Sequence, residues 1–258
     1  MKIQLLSDLH LETEVFEPEP HPQADLLVLA GDIDSSWSSL DRFVNWPVPA
    51  LFVAGNHEFE GREIDDAWPA LRERCNQLGL TLLEREALVL DAPDGRRIRF
   101  LGTVRWCDFN VFGPSRLESA LRAGRYFQRV MGATKGGAQF DAEAVRREAL
   151  DCRTWLAGAL AEEAQGRWAA TVAITHFAPS LKSADPRYGN QSGTASFCNA
   201  DEDLLPGAAV WLHGHLHCRH DYRIMHADGC STRVVSQARG LIDKGEADGY
   251  DARKLIEI

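Results

Sequence analysis

Long apolar runs are missing from this chain. None approaches the ~20 residues needed to cross a bilayer, so a membrane-spanning protein is not expected. Cysteines at metal-finger spacing are missing as well. The six present, at 75, 107, 152, 198, 218 and 230, form no C-x-x-C pair. That argues against a thiolate zinc site, and free, mostly buried thiols are expected instead. Basic residues are outnumbered, with 28 Lys and Arg against 38 Asp and Glu and a net charge of −10. Without a basic face, general binding to nucleic acid is not expected. P-loop, G-x-G-x-x-G, G-x-S-x-G and H-E-x-x-H patterns are absent, which removes support for NTPase, dinucleotide, serine-hydrolase and zincin chemistry. The N-terminus turns acidic at Asp8 before a signal-peptide core could form, so a cytoplasmic protein is expected.

What is present is an ordinary globular composition: 258 residues, 45% hydrophobic and 26% charged. That length buries a large core. No Pro/Gly/Ser-rich linker divides it, and residues 1–258 read as a single domain. Ile3–Leu6, Asp25–Ala30 and Ala50–Ala54 are short continuous apolar runs, the mark of buried parallel strands. Residues 13–23, with Pro18, Pro20 and Pro22, read as an irregular loop. Helices are expected over 38–45, with Ser38 and Asp41 at capping-box spacing, and over 67–78, with Pro69 in its first turn and Gly79 as its stop. Residues 97–104 alternate as a strand. Residues 105–140 read as a lid-like insertion with one short helix near 115–123. A strong helix follows over 141–164, capped by Asp141. Strands are expected at 171–175, 209–213, 221–225, 232–236 and 253–257, close enough together for that part of the sheet to be antiparallel.

Five short segments carry the chemistry, and each follows a strand candidate: Asp8-Leu9-His10, Gly31-Asp32, Gly55-Asn56-His57-Glu58, Thr175-His176 and Gly214-His215-Leu216-His217. Ligand sites of open α/β sheets lie at the carboxyl ends of strands. Glycine before Asp32, Asn56 and His215 permits a sharp turn that aims the next side chain inward. Imidazole, carboxylate and amide oxygen without thiolate suit Mn²⁺, Fe or Zn²⁺. Seven such residues exceed one tetrahedral ion and suit two ions sharing a carboxylate. The remaining histidines have plainer readings. His213 is expected to be a hydrogen-bonded strand residue, His220 and His226 surface residues on a hairpin, and His21 part of the proline-rich loop.

These five blocks, in this order, resemble the calcineurin-like metallophosphoesterases, whose pattern is D-x-H, G-D, G-N-H-[DE], a lone His, then G-H-x-H. The resemblance covers about residues 3–240 and implies an α/β fold of two packed mixed β-sheets flanked by helices. It implies that Asp8, His10 and His217 bind one divalent ion, that Asn56, His176 and His215 bind a second, and that Asp32 bridges them. It further implies that His57 faces the substrate and assists the leaving group, and that a metal-held hydroxide is the nucleophile. The expected activity is hydrolysis of a phosphodiester or phosphomonoester, of a small molecule or nucleotide. A protein Ser/Thr phosphatase is the runner-up, and a non-catalytic metal-binding scaffold is the reading from another class. In the bacterial branch this chain resembles, an N-P-R-G-Y-like segment follows the last strand. Here it reads Ser236-Gln237-Ala238-Arg239-Gly240-Leu241, which leaves Arg239 as the best candidate substrate contact. Arg105, Arg125, Arg129, Arg187, Tyr188 and Asn199 are weaker candidates.

Overall fold

Alternating apolar side chains place each strand between two layers, and the computed structural model shows which layers they are. It describes the backbone of residues 1–258 and the side chains of all but residues 126–128. The strands run β1 (Lys2–Leu6), β2 (Leu26–Ala30), β3 (Ala50–Val53), β4 (Thr81–Leu82), β5 (Glu86–Asp91) and β6 (Arg97–Thr103). They continue as β7 (Thr134–Lys135), β8 (Ala138–Gln139), β9 (Ala170–Thr175), β10 (Val210–His213), β11 (Arg219–Met225), β12 (Ser231–Gln237) and β13 (Leu255–Glu257). The α-helices are α1 (Ile64–Leu78), α2 (Leu117–Met131) and α3 (Ala142–Leu160).

Two mixed sheets form, in the orders β13-β1-β2-β3-β4 and β11-β12-β10-β9-β6-β5, beside a small β7-β8 hairpin. Ile3, Leu5, Val28, Phe100, Ile174 and Leu212 share the layer between the sheets. The alternate residues Leu27, Leu29 and Phe52 pack with Leu71, Cys75 and Leu78 of α1. On the other sheet, Leu101, Ala173, Trp211 and Val234 pack with Leu156 and Leu160 of α3. Each such side chain is worth about 1.5–3 kcal/mol relative to exposure. The result is the helix–sheet–sheet–helix arrangement that the resemblance implies and the strand count allows.

The first three strands pair in parallel, as their apolar runs suggest. Elsewhere the structure departs from the sequence reading. Of the late strands, β11 pairs antiparallel with β12, and β13 pairs antiparallel with β1 in the other sheet; β10 pairs in parallel with both β9 and β12, because β11 folds out to the sheet edge. Helix α1 begins at Ile64, so Pro69 lies inside it rather than in its first turn. Residues Ser38–Phe43 form a 3₁₀ turn without the expected capping box. Asp34 does the capping, accepting from Ser36 N at 2.8 Å and Ser39 N at 2.5 Å, while Asp41 is drawn to Arg74. Helix α2 is longer than the short helix expected near 115–123 and runs on to Met131. Gly124 hides it in the sequence, because a side chain there would meet the Phe109 ring at 2.6 Å. His220 is half-buried rather than on the surface, with its Nε2 3.1 Å from Cys218 Sγ.

Segment 105–140 is anchored through Arg105. Its guanidinium is fully buried and donates to Asp201 at 2.8 and 2.9 Å, to Asp108 at 3.2 Å, and to the carbonyls of Trp106 and Ala149. All its donors are directed into the fold, which sets its place as a structural ion. Removing one partner of a buried pair strands the other, at a cost of about 3–5 kcal/mol. Asp201→Ala should therefore lower the free energy of unfolding by about that amount, read from the denaturant midpoint at unchanged slope. A loss below about 1 kcal/mol, the scale of an exposed pair, would show that Arg105 does not depend on Asp201.

Candidate metal centre

The five chemical segments all emerge from strand ends at one rim, and the backbone there is unusual. Asp8, His10, Asp32, His215 and His217 adopt positive φ of 53°, 47°, 54°, 71° and 49°. Such conformations cost of order 1–3 kcal/mol each for residues with a Cβ, and persist only where surroundings impose them. The hydrogen bonds that impose them cross between loops. Asp8 N donates to Gly31 O at 3.0 Å, His10 N to Asp32 O at 3.2 Å, and His57 N to Asp32 Oδ1 at 2.9 Å. His215 N donates to both oxygens of Asp8, at 2.9 and 3.0 Å.

The glycines before Asp32, Asn56 and His215 serve close approach more than turning. Only Gly31 has a positive φ, of 87°. A Cβ on Gly31 would lie 2.3 Å from His176 Nδ1, one on Gly55 2.2 Å from Asp32 Oδ1, and one on Gly214 2.6 Å from Asp8 Oδ2.

The side chains gather in two groups that share Asp32. Asp8, His10, Asp32 and His217 form one, and Asp32, His176 and His215 the other; within each, the donor atoms lie within 4.8 Å of one another. Asn56 joins the second, its Oδ1 3.3 Å from His176 Nε2. A third grouping, of His10, Glu12 and His57, adjoins the first. Arg239 stands outside the groups, paired with Glu14 at 3.0 Å and stacked over Phe16. Asn199 holds the backbone of residues 105–108, and His213, at the end of β10, is bound to Ser183 Oγ of the Leu181–Ser183 turn at 2.9 Å. Arg187 is paired with Asp185. Tyr188 is exposed, as are Arg125 and Arg129.

Hydrogen bonds fix which imidazole nitrogen faces inward. His176 Nδ1 lies 2.9 Å from Ala30 O, which can only accept, so Nδ1 carries the proton and Nε2 is left as a donor atom for a cation. Carboxylates do the same for His10, through Glu12 at 3.1 Å, and for His217, through Glu246 at 2.7 Å. His215 is held the other way round, with Nε2 3.1 Å from Ser196 O. His57 Nδ1 sits 2.7 Å from Glu60, leaving Nε2 3.9 Å from Asp32 Oδ2.

This donor set fits a cation on two observations. Nε2 of His10 and Nε2 of His217 face each other at 3.0 Å, although their Nδ1 atoms are engaged by carboxylates. Asp32 Oδ2 is buried with no hydrogen-bond donor aligned on it, although His176 Nε2 lies 3.1 Å away. Buried polar atoms are rarely left so, and a bound ion is one standard reason. Burial alone would keep Asp32 protonated, but His176, His57 and His10 hold it well below the usual carboxylate range. In return, against their own burial, Asp32 raises His176 to about 9 and His57 to about 10. That same negative charge is what a metal cation would neutralise. His215, pressed by burial and by His176, is driven well below its ordinary value and stays neutral, as a ligand must.

With this geometry in hand, comparison with known proteins gives a direct answer. The family described as calcineurin-like phosphoesterase matches residues 1–219. The chain belongs to that family. Membership supports a metal-dependent phosphoester hydrolase that uses divalent ions. Among solved structures, the phosphopantetheinyl hydrolase of Mycobacterium tuberculosis is similar, with a TM-score of 0.74 at 15% identity over 100% of this chain and 95% of that one. That likeness shows the shared fold. Curated proteins give no match. Among the described residues, no helix is long and apolar enough to cross a membrane.

Four acidic residues in the centre have no assignment from the sequence motifs: Glu12 and Glu60, which back His10 and His57, Glu246, far along the chain without a motif around it, and Glu58. Glu58 is the fourth residue of the Gly-Asn-His-Glu block. It is fully buried, and its carboxylate accepts from Asp32 N at 3.0 Å, Ile33 N at 2.7 Å, Asp34 N at 3.3 Å and Gly55 N at 2.5 Å. Burial and the Asp32 charge push its carboxyl up to about 7, against the pull of these donors. Glu58→Gln keeps the shape but turns an amide N–H₂ toward backbone N–H groups. Stranded buried donors cost about 1–3 kcal/mol each. Glu58→Gln should therefore lose at least that much stability and weaken metal binding as well. Wild-type melting temperature and metal content in that variant would count against this role.

Proposed function

We propose that this protein is a binuclear metallophosphoesterase acting on a small phosphodiester or phosphomonoester. The observation that carries the reading is Asp32. It belongs to both donor groups, and its buried Oδ2 lies 3.1 Å from His176 Nε2, the nitrogen that the bond to Ala30 leaves without a proton. In this reading Asp8, His10, Asp32 and His217 hold one divalent ion, and Asp32, Asn56, His176 and His215 hold the other. The oxygen and imidazole donors suit Mn²⁺ or Fe, with Zn²⁺ also compatible. Such a pair supplies a nucleophilic water at neutral pH and charge stabilisation for an in-line phosphoryl displacement.

The protein's own groups then have separable tasks. Asp32, 1% exposed in its side chain, holds negative charge between the two donor groups and would screen two bound cations from each other. The glycine contacts keep the groups at fixed spacing. His57 is different, because its side chain is 24% exposed and tethered by Glu60, so its Nε2 faces both the site and the solvent from which substrate arrives. That position suits protonation of the leaving oxygen. The helix α2 packs against the Ser192–Ser196 turn, whose Ser196 carbonyl holds His215. This supports a role for segment 105–140 beside the site rather than remote from it.

Metal analysis with turnover of an aryl phosphate tests the core of the proposal; no metal and no turnover would favour a binding scaffold. Asp32→Asn should lose metal and nearly all activity, and a fully active Asp32→Asn protein would refute the shared-carboxylate arrangement.

His57 separates proton transfer from metal binding. General acid catalysis contributes ~10²–10⁴-fold, and more for a poorer leaving group. His57→Ala should keep both metals, lose much of its rate on alkyl phosphate esters and lose less on nitrophenyl esters. An equal loss on both would point instead to an imidazolium stabilising the phosphoryl oxygens, and unchanged rates would make His57 structural.

A further inference from the structure

The family match ends at residue 219, yet the C-terminal segment returns to the site and inserts one buried carboxylate into it. We propose that Glu246 is a positioning residue for His217, fixing its ring so that Nε2 binds the ion held by Asp8, His10 and Asp32. The inference rests on the binuclear reading above and extends it beyond the motif residues.

The geometry is specific at each step. After β12 the chain turns through Arg239 and Gly240 into a 3₁₀ turn at Ile242–Lys244. Glu246 N then bonds Leu241 O at 3.1 Å, which closes the segment on itself. The Glu246 side chain is 4% exposed. Its Oε2 accepts from His217 Nδ1 at 2.7 Å and from Leu241 N at 3.0 Å. Arg219 holds the segment from the other side, donating to the carbonyls of Ala238, Glu246 and Asp248. Oε1 lies 3.7 Å from the Arg187 guanidinium.

Gly240 makes this packing feasible. It has a φ of 70°, and a Cβ there would meet Glu246 Cβ at 2.7 Å and His217 Cβ at 3.0 Å. The segment thus closes onto His217 through a slot that only glycine leaves open.

A carboxylate on the far nitrogen of a ligating imidazole orients the ring, fixes its tautomer and raises its basicity. Losing such a partner costs ~10–100-fold in metal affinity. In this site the cost should fall on one ion only, because Glu246 bonds His217, which belongs to one of the two donor groups that share Asp32.

The test is calorimetric titration of metal-free full-length protein with Mn²⁺, for wild type and for Glu246→Ala, Glu246→Gln and Gly240→Ala. Wild type should bind two ions. Glu246→Ala should weaken one by ~10–100-fold and leave the other unchanged. Glu246→Gln, whose amide oxygen can still accept from Nδ1, should lie between. Gly240→Ala should reproduce the selective loss by displacing Glu246 from His217 while the carboxyl group itself is retained. The melting temperature of each metal-free variant checks folding, and the His217 ring nitrogen resonances give a readout independent of stability. Loss of the fixed Nδ1–H tautomer in Glu246→Ala supports the proposal. Two ions bound with wild-type affinities in Glu246→Ala would overturn it, as would equal weakening of both. Binding of a single ion by wild type would instead overturn the binuclear reading on which it rests.

Discussion

A single buried carboxylate holds the loop after β2 to the loop after β3. Glu58 receives backbone N–H groups from residues 32, 33 and 34 on one side and 55 on the other. Burying a carboxylate is costly unless its lone pairs are filled, and here four donors fill them. That exchange has a geometric consequence. Where three successive N–H groups converge on this one carboxylate, the chain at Asp32 enters the left-handed region, at a φ of 54°. The same turn throws the Asp32 side chain toward His176 and His57. The strain at Asp32 and its place between the two donor groups are therefore one fact seen twice.

The second constraint is that the donors come from both sheets. β1 and β2 lie in one sheet, while β9 and β10 lie in the other. Their ends meet only where the sheets converge. A parallel bridge between Ser7 and Ala238 joins the sheets just before Asp8. Asp8 then accepts from His215 N, and Gly214 N donates to His176 O at 3.0 Å. Gly214 makes the contact possible, since a Cβ there would lie 2.8 Å from Ala30 O as well as against Asp8. Local packing and metal-site geometry are thus set by the same few backbone approaches.

Much of this was legible in the sequence because it is encoded locally. The parallel strands β1, β2 and β3 announce themselves as short apolar runs. The Asp141 cap is visible and real, accepting from Ala144 N at 2.9 Å. The gathered side chains each sit just beyond a strand, so strand placement alone brings them to one rim. What escaped is non-local. Gly124 looks like a helix breaker, yet it is a slot for Phe109. The pairing of β10 with β12 skips an intervening strand, which no short pattern reports. Arg105 and Arg239 look like candidate phosphate contacts in one dimension, but their counter-ions Asp201 and Glu14 lie 96 and 225 residues away in sequence. Glu246 meets His217 across 29 residues with no motif around it.

The partners on the far nitrogens make the centre asymmetric. His10 and His217 are each backed by a carboxylate, from Glu12 and Glu246. His176 and His215 are backed by neutral carbonyls, from Ala30 and Ser196. Around Asp8, His10 and His217 the field is thus made more negative by two acids that touch no inward-facing donor atom. Around Asn56, His176 and His215 the negative charge of the donor set comes from the shared Asp32 and, behind it, from Asp8. A carboxylate partner raises imidazole basicity in a way a carbonyl does not. The two halves of the proposed centre therefore offer unequal electrostatics from similar residue types. The excess on the first half comes from side chains that flank the motifs rather than belong to them, so the imbalance can be tuned without altering a single inward-facing ligand.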